Sequence, residues 1–187
     1  MRIKPALKTA YLRPRLIESV QAMHGKTLIE RMIFLSCLLI AVPASRAADF
    51  EGKVVGVLDG DTIEVLYEKK TERVRLYGID CPEKWQAFGQ KAKQATSSLV
   101  FGKEVEVETH GKDKHRRTLG TVFHDGLNVN QSLVKEGWCW WFSKSVPKDT
   151  GLKQFEQEAQ DAKKGLWADP NPVPPWLYRR LDAGAYP

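Results

Sequence analysis

Three carboxylates and a guanidinium carry the first chemistry in this chain: Asp61 in "LDGDT", then Arg75, Asp80 and Glu83 in "RLYGIDCPE". Period-two alternation puts Arg73, Arg75 and Tyr77 on one face of a strand and Val74 and Leu76 on the other. Gly78 releases that strand into a bend, and Pro82 stiffens the backbone between Asp80 and Glu83. If the strands that carry Asp61 and Asp80 pair, the start of one meets the end of the other. Two carboxylates so placed make half the oxygen shell of a hard cation such as Ca2+, and a bent backbone at Cys81 can add its carbonyl oxygen. Such an ion neutralises a phosphate and acts as a Lewis acid. Glu83 lies just beyond, where it can orient or deprotonate a water. Arg75 offers a planar donor fork for a phosphoryl oxygen.

A second basic element is "GKDKHRRT", residues 111–118, where Lys112, Lys114, Arg116 and Arg117 face one acid, Asp113. By itself such a loop is a solvated hairpin tip. Beside a bound cation and Arg75 it becomes a source of a second guanidinium for a transition state that spreads charge over phosphoryl oxygens. Taken singly, "DGDT" is an ordinary turn and exposed acids merely meet water. Their conjunction is what points to a site.

The elements that must position these groups are mostly strands. Apolar, β-branched alternation predicts strands at about 53–58, 61–67, 72–78, 103–109 and 117–123. "LDGDT" joins the first two through an Asp-Gly turn, and "EKKT" joins the second and third. A helix at about 86–101 sets Phe88, Ala92, Ala95 and Leu99 on one face. "GLNVNQSLVKEG" predicts a short helix with Asn128 as N-cap and Gly137 just past its end. A third helix, about 150–164, aligns Leu152, Phe155, Ala159 and Ala162. The stretch "ADPNPVPPWLYRR" reads as Pro-rich and extended, with Trp176 able to pack back on the body. Five strands interrupted by one helix and followed by two more predict an α+β domain, a five-stranded Greek-key barrel of OB type with three helices.

The front of the chain reads as a leader. "MIFLSCLLIAV", Met32 to Val42, is apolar throughout but too short to span a bilayer, which takes about 20 residues. Arg31 precedes it, and "PASRA" places Ser45 and Ala47 at the small-residue positions of a signal-peptidase site. Residues 1–47 therefore read as a signal peptide with a long n-region, or a shorter one starting at Met23. Residues 48–178 read as the folded domain and 179–187 as a C-terminal tail. The leader also holds the basic excess. The chain has 29 Lys+Arg and 23 Asp+Glu, but eight of the bases and two of the acids precede residue 48, which leaves 21 of each. Whole-chain charge thus says nothing for nucleic-acid binding. Two cysteines, Cys81 and Cys139, outlast cleavage, and an even pair in an oxidising compartment predicts one disulfide between them. The scattered histidines and the lack of C-x-x-C argue against a zinc site.

The blocks "VLDGDTIEV", "RLYGIDCPE", "FGQKAK", "KDKHRRT", "LNVNQSLVKEGW" and "EQEAQDAKKGLW", spread over about residues 50–178, resemble the staphylococcal (micrococcal) nuclease family of thermonuclease-like secreted enzymes. The resemblance implies an OB barrel with three helices and hydrolysis of DNA or RNA phosphodiesters to 3′-phosphate ends. Carried over by position, it implies Ca2+ held by Asp61, Asp80 and the main-chain carbonyl of Cys81. Arg75 and Arg117 become the phosphate-binding arginines, Glu83 the residue that activates water, and Asp59 a turn or supporting residue. Lys114 and His115 become substrate contacts. In the family this loop commonly reads Asp-Arg/Lys-Tyr-Gly-Arg. Here His115 replaces the aromatic and Arg116 the turn glycine, so Arg116 stands as an alternative to Arg117. A φ > 0 turn at Arg116 would cost about 1–2 kcal/mol. No tyrosine follows Gly137 at the family's base-stacking position; Trp138, Trp140 and Trp141 stand nearby, either to stack bases or to fill the core. The expectation is an exported, monomeric, Ca2+-dependent endonuclease, periplasmic or secreted, without a membrane anchor. Its rival is a non-catalytic OB module that only binds nucleic acid or a protein.

Overall fold

Apolar alternation produces a barrel. The computed structural model describes residues 48–184, so the predicted leader, its cleavage site and the last three residues lie outside the described residues. Strands β1 (Phe50–Val57), β2 (Thr62–Tyr67) and β3 (Lys70–Leu76) form an antiparallel meander. The two-residue β4 (Ile79–Asp80) ends the bend after β3, and helix α1 (Gly89–Val100) follows. Strand β5 (Glu104–Lys112) returns beside β1, and β6 (Thr118–His124) pairs with β5 on one side and, in parallel, with β3 on the other. That β3–β6 pairing closes five strands in the order β1-β2-β3-β6-β5. Val54, Val65, Val74, Val107 and Val122 point inward with no exposed surface, as a period of two requires.

The remaining elements cover the barrel. After β7 (Leu127–Asn128) comes α2 (Val129–Lys135), with the Asn128 side chain accepting from the Gln131 N–H and Gly137 left-handed at φ 71°. Both end signals stand where the sequence put them. Strand β8 (Trp140–Trp141) pairs with β4, and α3 (Thr150–Asp161) starts at Asp149, whose carboxylate accepts from the Leu152 N–H. A 3₁₀ turn at Gly165–Ala168 leads to α4 (Pro175–Gly184).

Two features depart from the sequence reading. The stretch from Ala168 is extended only as far as Pro174: Pro175 opens a fourth helix, which takes in residues 179–184 of the expected tail. Pro fits the first helical position because its missing N–H has no partner there anyway. The first hairpin uses a four-residue connection, 58–61, rather than a two-residue Asp-Gly turn. The two-residue turn lies in the second hairpin instead, where Glu68 and Lys69 both take positive φ, 47° and 63°, matching the strand twist.

Candidate active site

The acidic cleft starts at the connection between β1 and β2. Asp59 Oδ1 accepts from the Asp61 N–H at 3.0 Å, a local turn that sets the Asp61 backbone. The Asp61 carbonyl accepts from the Leu76 N–H at 2.8 Å, continuing the β2–β3 ladder in which Thr62 faces Arg75. Asp61 is thereby carried to the end of β3, where its Oδ2 accepts from the Cys81 N–H at 2.7 Å. Asp80 is fixed from the other side. β4 pairs with β8, Asp80 opposite Trp140, and the disulfide Cys81–Cys139 locks the adjoining residues. At Gly60 an added Cβ would stand 2.6 Å from the Cys81 Cβ, so only glycine lets the first hairpin's connection lie this close to the disulfide.

Arg75 gathers this corner. Its Nη1 donates to the carbonyls of Leu76 and Ile79 at 3.0 and 2.9 Å, which clamps the bend. Its Nη2 reaches Asp80 Oδ1 at 2.9 Å and Asp61 Oδ2 at 3.1 Å. Both acids are buried, Asp61 at 6% and Asp80 at 1% exposure. Loss of solvent pushes the Asp61 carboxyl up to about 7 against the pull of Arg75, and Asp59 and Asp80 push the same way. Asp61, which shares its one guanidinium with Asp80, is thus short of positive charge.

Glu83 lies at the rim, its side chain 38% exposed. A hydrogen-bonded turn holds its backbone: the Glu83 N–H donates to Gln86 Oε1 at 3.0 Å, and the Gln86 N–H returns to the Glu83 carbonyl at 2.9 Å. Gly89 opens α1 directly against that carbonyl, and a Cβ there would sit 1.9 Å from it. The basic loop forms the facing wall. Asp113 organises it, accepting from the backbone N–H groups of His115 and Arg117, both at 2.9 Å, and from Arg117 Nε at 2.8 Å. Burial opposes ionisation of Asp113, but these bonds outweigh it and hold the carboxyl below its usual range. Arg116 takes φ 63°, so the loop keeps a left-handed turn at this arginine rather than being reshaped around it. Its side chain is exposed. Arg117 Nη1 lies 3.4 Å from Thr62 Oγ1, and Arg117, Lys114 and His115 line one cavity of ≈ 820 Å³ together with Asp61, Arg75, Asp80 and Glu83.

Sequence reasoning missed one member of the cleft. Arg179 of α4 donates from Nη2 to Asp80 Oδ2 at 2.7 Å and from Nη1 to Asp80 Oδ1 and Glu83 Oε1 at 3.2 and 2.5 Å. The bond to Asp80, followed by that to Glu83, holds its guanidinium more firmly protonated. No local signal marks it. Only the docking of α4, with Trp176 near Trp140 and Phe142 at ring distances of 5.7 Å each, brings it across 99 residues of chain to Asp80. The tryptophans after Gly137 are structural: Trp140 packs edge-on to Trp167 at 4.2 Å, and Trp141 Nε1 donates to the Val146 carbonyl.

The donor set suits a hard cation in kind. Asp61 and Asp80 supply buried carboxylate oxygens, Asp61 with only a share of Arg75 against it, and the Cys81 carbonyl follows on the same bend. Among the described residues no three His, Cys, Asp or Glu side chains converge. Further oxygens would come from backbone and water, as is usual for calcium. Arg179 and a cation would compete for Asp80.

An OB-type barrel whose rim sets paired acids against three guanidiniums, Arg75, Arg117 and Arg179, suits chemistry on phosphate esters. Comparison with known proteins makes the assignment specific. Residues 73–169 match the family described as staphylococcal nuclease homologue, and the chain belongs to that family. It is 42% identical over 158 residues to the micrococcal nuclease of Shigella flexneri, covering 79% of this chain and 90% of that protein. An uncharacterized endonuclease of Escherichia coli O157:H7 is 46% identical over 133 residues, 71% of this chain and 86% of the relative. Another from Haemophilus influenzae is 41% identical over 159 residues, 83% and 89% of the two chains. The chain is a hydrolase, a nuclease of the micrococcal type.

Proposed function

We propose that the protein is an exported, Ca2+-dependent endonuclease that cleaves DNA or RNA to leave 3′-phosphate ends. One observation carries this reading: the buried pair Asp61 and Asp80 meets on Arg75 in the cavity that also holds Glu83 and Arg117. Asp61, Asp80 and the Cys81 carbonyl would hold the ion, which when bound supplies charge neutralisation and Lewis acidity to the phosphate. The protein's own groups do the rest. The Glu83 oxygen not taken by Arg179 accepts the proton of a water aimed at phosphorus. Arg117 donates to the phosphoryl oxygens as charge builds on them, and Arg75 joins it by releasing one of its Nη contacts in the corner. The 5′ oxygen then departs, taking up a proton from solvent water, and the phosphate stays on the 3′ side. Lys114 and His115, exposed on the opposite wall, contact neighbouring phosphates.

The disulfide and the predicted leader support an oxidising, extracytoplasmic location. Among the described residues no helix is long and apolar enough to cross a membrane. The test is incubation of the purified protein with single-stranded DNA or RNA, first with calcium and then with chelator. Calcium-dependent cleavage with 3′-phosphate ends is expected. Binding without cleavage in both conditions would instead make it a non-catalytic OB module.

A further inference from the structure

The turn that holds Glu83 also displays an indole for which the fold has no use. Trp85 is 81% exposed, the most exposed large hydrophobic side chain among the described residues. An indole can bury about 150–250 Å², so leaving it in water forgoes a large gain. Its backbone is held on both sides. Besides the two Glu83–Gln86 bonds, Gln86 Nε2 donates to the Val173 carbonyl at 2.5 Å, the Gly89 N–H to the Gln86 carbonyl, and Gln90 Nε2 to the Lys84 carbonyl, both at 3.0 Å. Gln86 itself is buried. The rigid turn therefore drives the neighbouring ring outward.

Two lysines of this segment lie over its rings. Lys84 Nζ lies 4.8 Å from the Trp85 ring centre, and one turn on, Lys91 Nζ lies 5.4 Å from that of Phe88. From Lys84 to Lys103 there are four lysines and no acid. Aromatic faces interleaved with cations, beside a phosphodiester cleft, match single-stranded nucleic acid: bases stack on the rings while phosphates pair with the ammonium groups. We propose that Lys84, Trp85, Phe88 and Lys91 form a substrate subsite in which an unpaired base stacks on the Trp85 face opposite Lys84. This rests on the nuclease reading, and it places substrate recognition on the segment that carries Glu83. Paired bases have both faces covered by their neighbours, so the subsite favours unpaired or frayed strands.

The test is equilibrium binding of the folded domain in chelator, with a fluorescent oligothymidylate 12-mer, an abasic 12-mer of the same charge, and anionic lipid vesicles. Trp85→Ala should weaken oligothymidylate binding roughly 5- to 100-fold and leave the abasic strand within about twofold, with Trp85→Phe recovering most of the loss. Equal loss for both strands, no loss for either, or a loss confined to the vesicles would overturn the subsite. Cleavage with calcium but no Trp85 effect removes the subsite and leaves the nuclease reading standing. A Trp85 effect on stacking without any cleavage supports the subsite and removes the catalytic reading.

Discussion

Glu83 and Arg75 divide the work of the cleft by their surroundings. Arg75 has its Nη atoms spread over two carbonyls and two carboxylates, so it both builds the corner and carries charge there. Glu83 is partly exposed and bonded to Arg179 through one oxygen, and its second oxygen is the one assigned to the proposed base role. Glu83→Gln keeps the shape and removes the basicity. It should lower kcat by roughly 10²–10⁴ while oligonucleotide affinity in chelator stays close to wild type. Single-turnover cleavage measures the first and anisotropy the second, and unchanged turnover would take Glu83 out of the base role. The neighbouring Gly89 works through space alone, since any side chain there would strike the Glu83 carbonyl.

At the scale of elements, α4 is the part that changes the picture of the site. It delivers Arg179 onto Asp80 and Glu83. A guanidinium and a divalent cation would answer the same carboxylate, so the proposed calcium would have to displace part of this contact. Arg179→Ala should tighten calcium binding several-fold, read by calorimetry on protein stripped of divalent ions. Weaker binding would mean that Arg179 shapes the carboxylates for the ion rather than competing with it. The β4–β8 pair and the disulfide do the opposite job, holding Asp80 and Cys81 still whatever occupies the cleft. A link closing a 58-residue separation contributes on the order of 4 kcal/mol in the chain-entropy account.

Over the whole molecule, stability should carry a pH signature away from the cleft. Glu156 of α3 is half-buried beneath β8 and accepts from the Trp141 N–H at 3.0 Å. Burial raises its carboxyl above the ordinary value, against that bond. Its folded form therefore binds a proton more readily than the unfolded chain. The resulting stabilisation is complete below the unfolded carboxylate range, about pH 4, and is lost as pH rises through the raised folded value. Glu156→Gln keeps the acceptor and drops the charge. Its melting temperature should equal or exceed wild type at pH 7, with the gap closing toward pH 4. A variant that melts lower at pH 7 with an unchanged pH slope would contradict this account.

Much of this molecule is written locally. Alternating valines specify which face of each strand turns inward, because successive side chains leave a strand on opposite sides. Asn128 and Gly137 end their helix wherever the chain goes, since a cap satisfies its own backbone groups. Asp61, Arg75, Asp80 and Glu83 were legible because neighbouring strands and one Pro-stiffened bend bring them together over short spans. The left-handed turn at Arg116 was open in the sequence and is decided by the loop that Asp113 organises. What the tertiary structure alone decided lies at long range. Nothing near Pro175 says that a helix begins there to set Arg179 on Asp80, and nothing near Trp140 says that its ring goes to Trp167 and Trp176 rather than to a base. Trp85 is the converse, an ordinary core residue by type that a buried glutamine holds in solvent. Local pattern sets backbone form through neighbours in sequence, whereas burial and charge pairing depend on which distant surfaces meet.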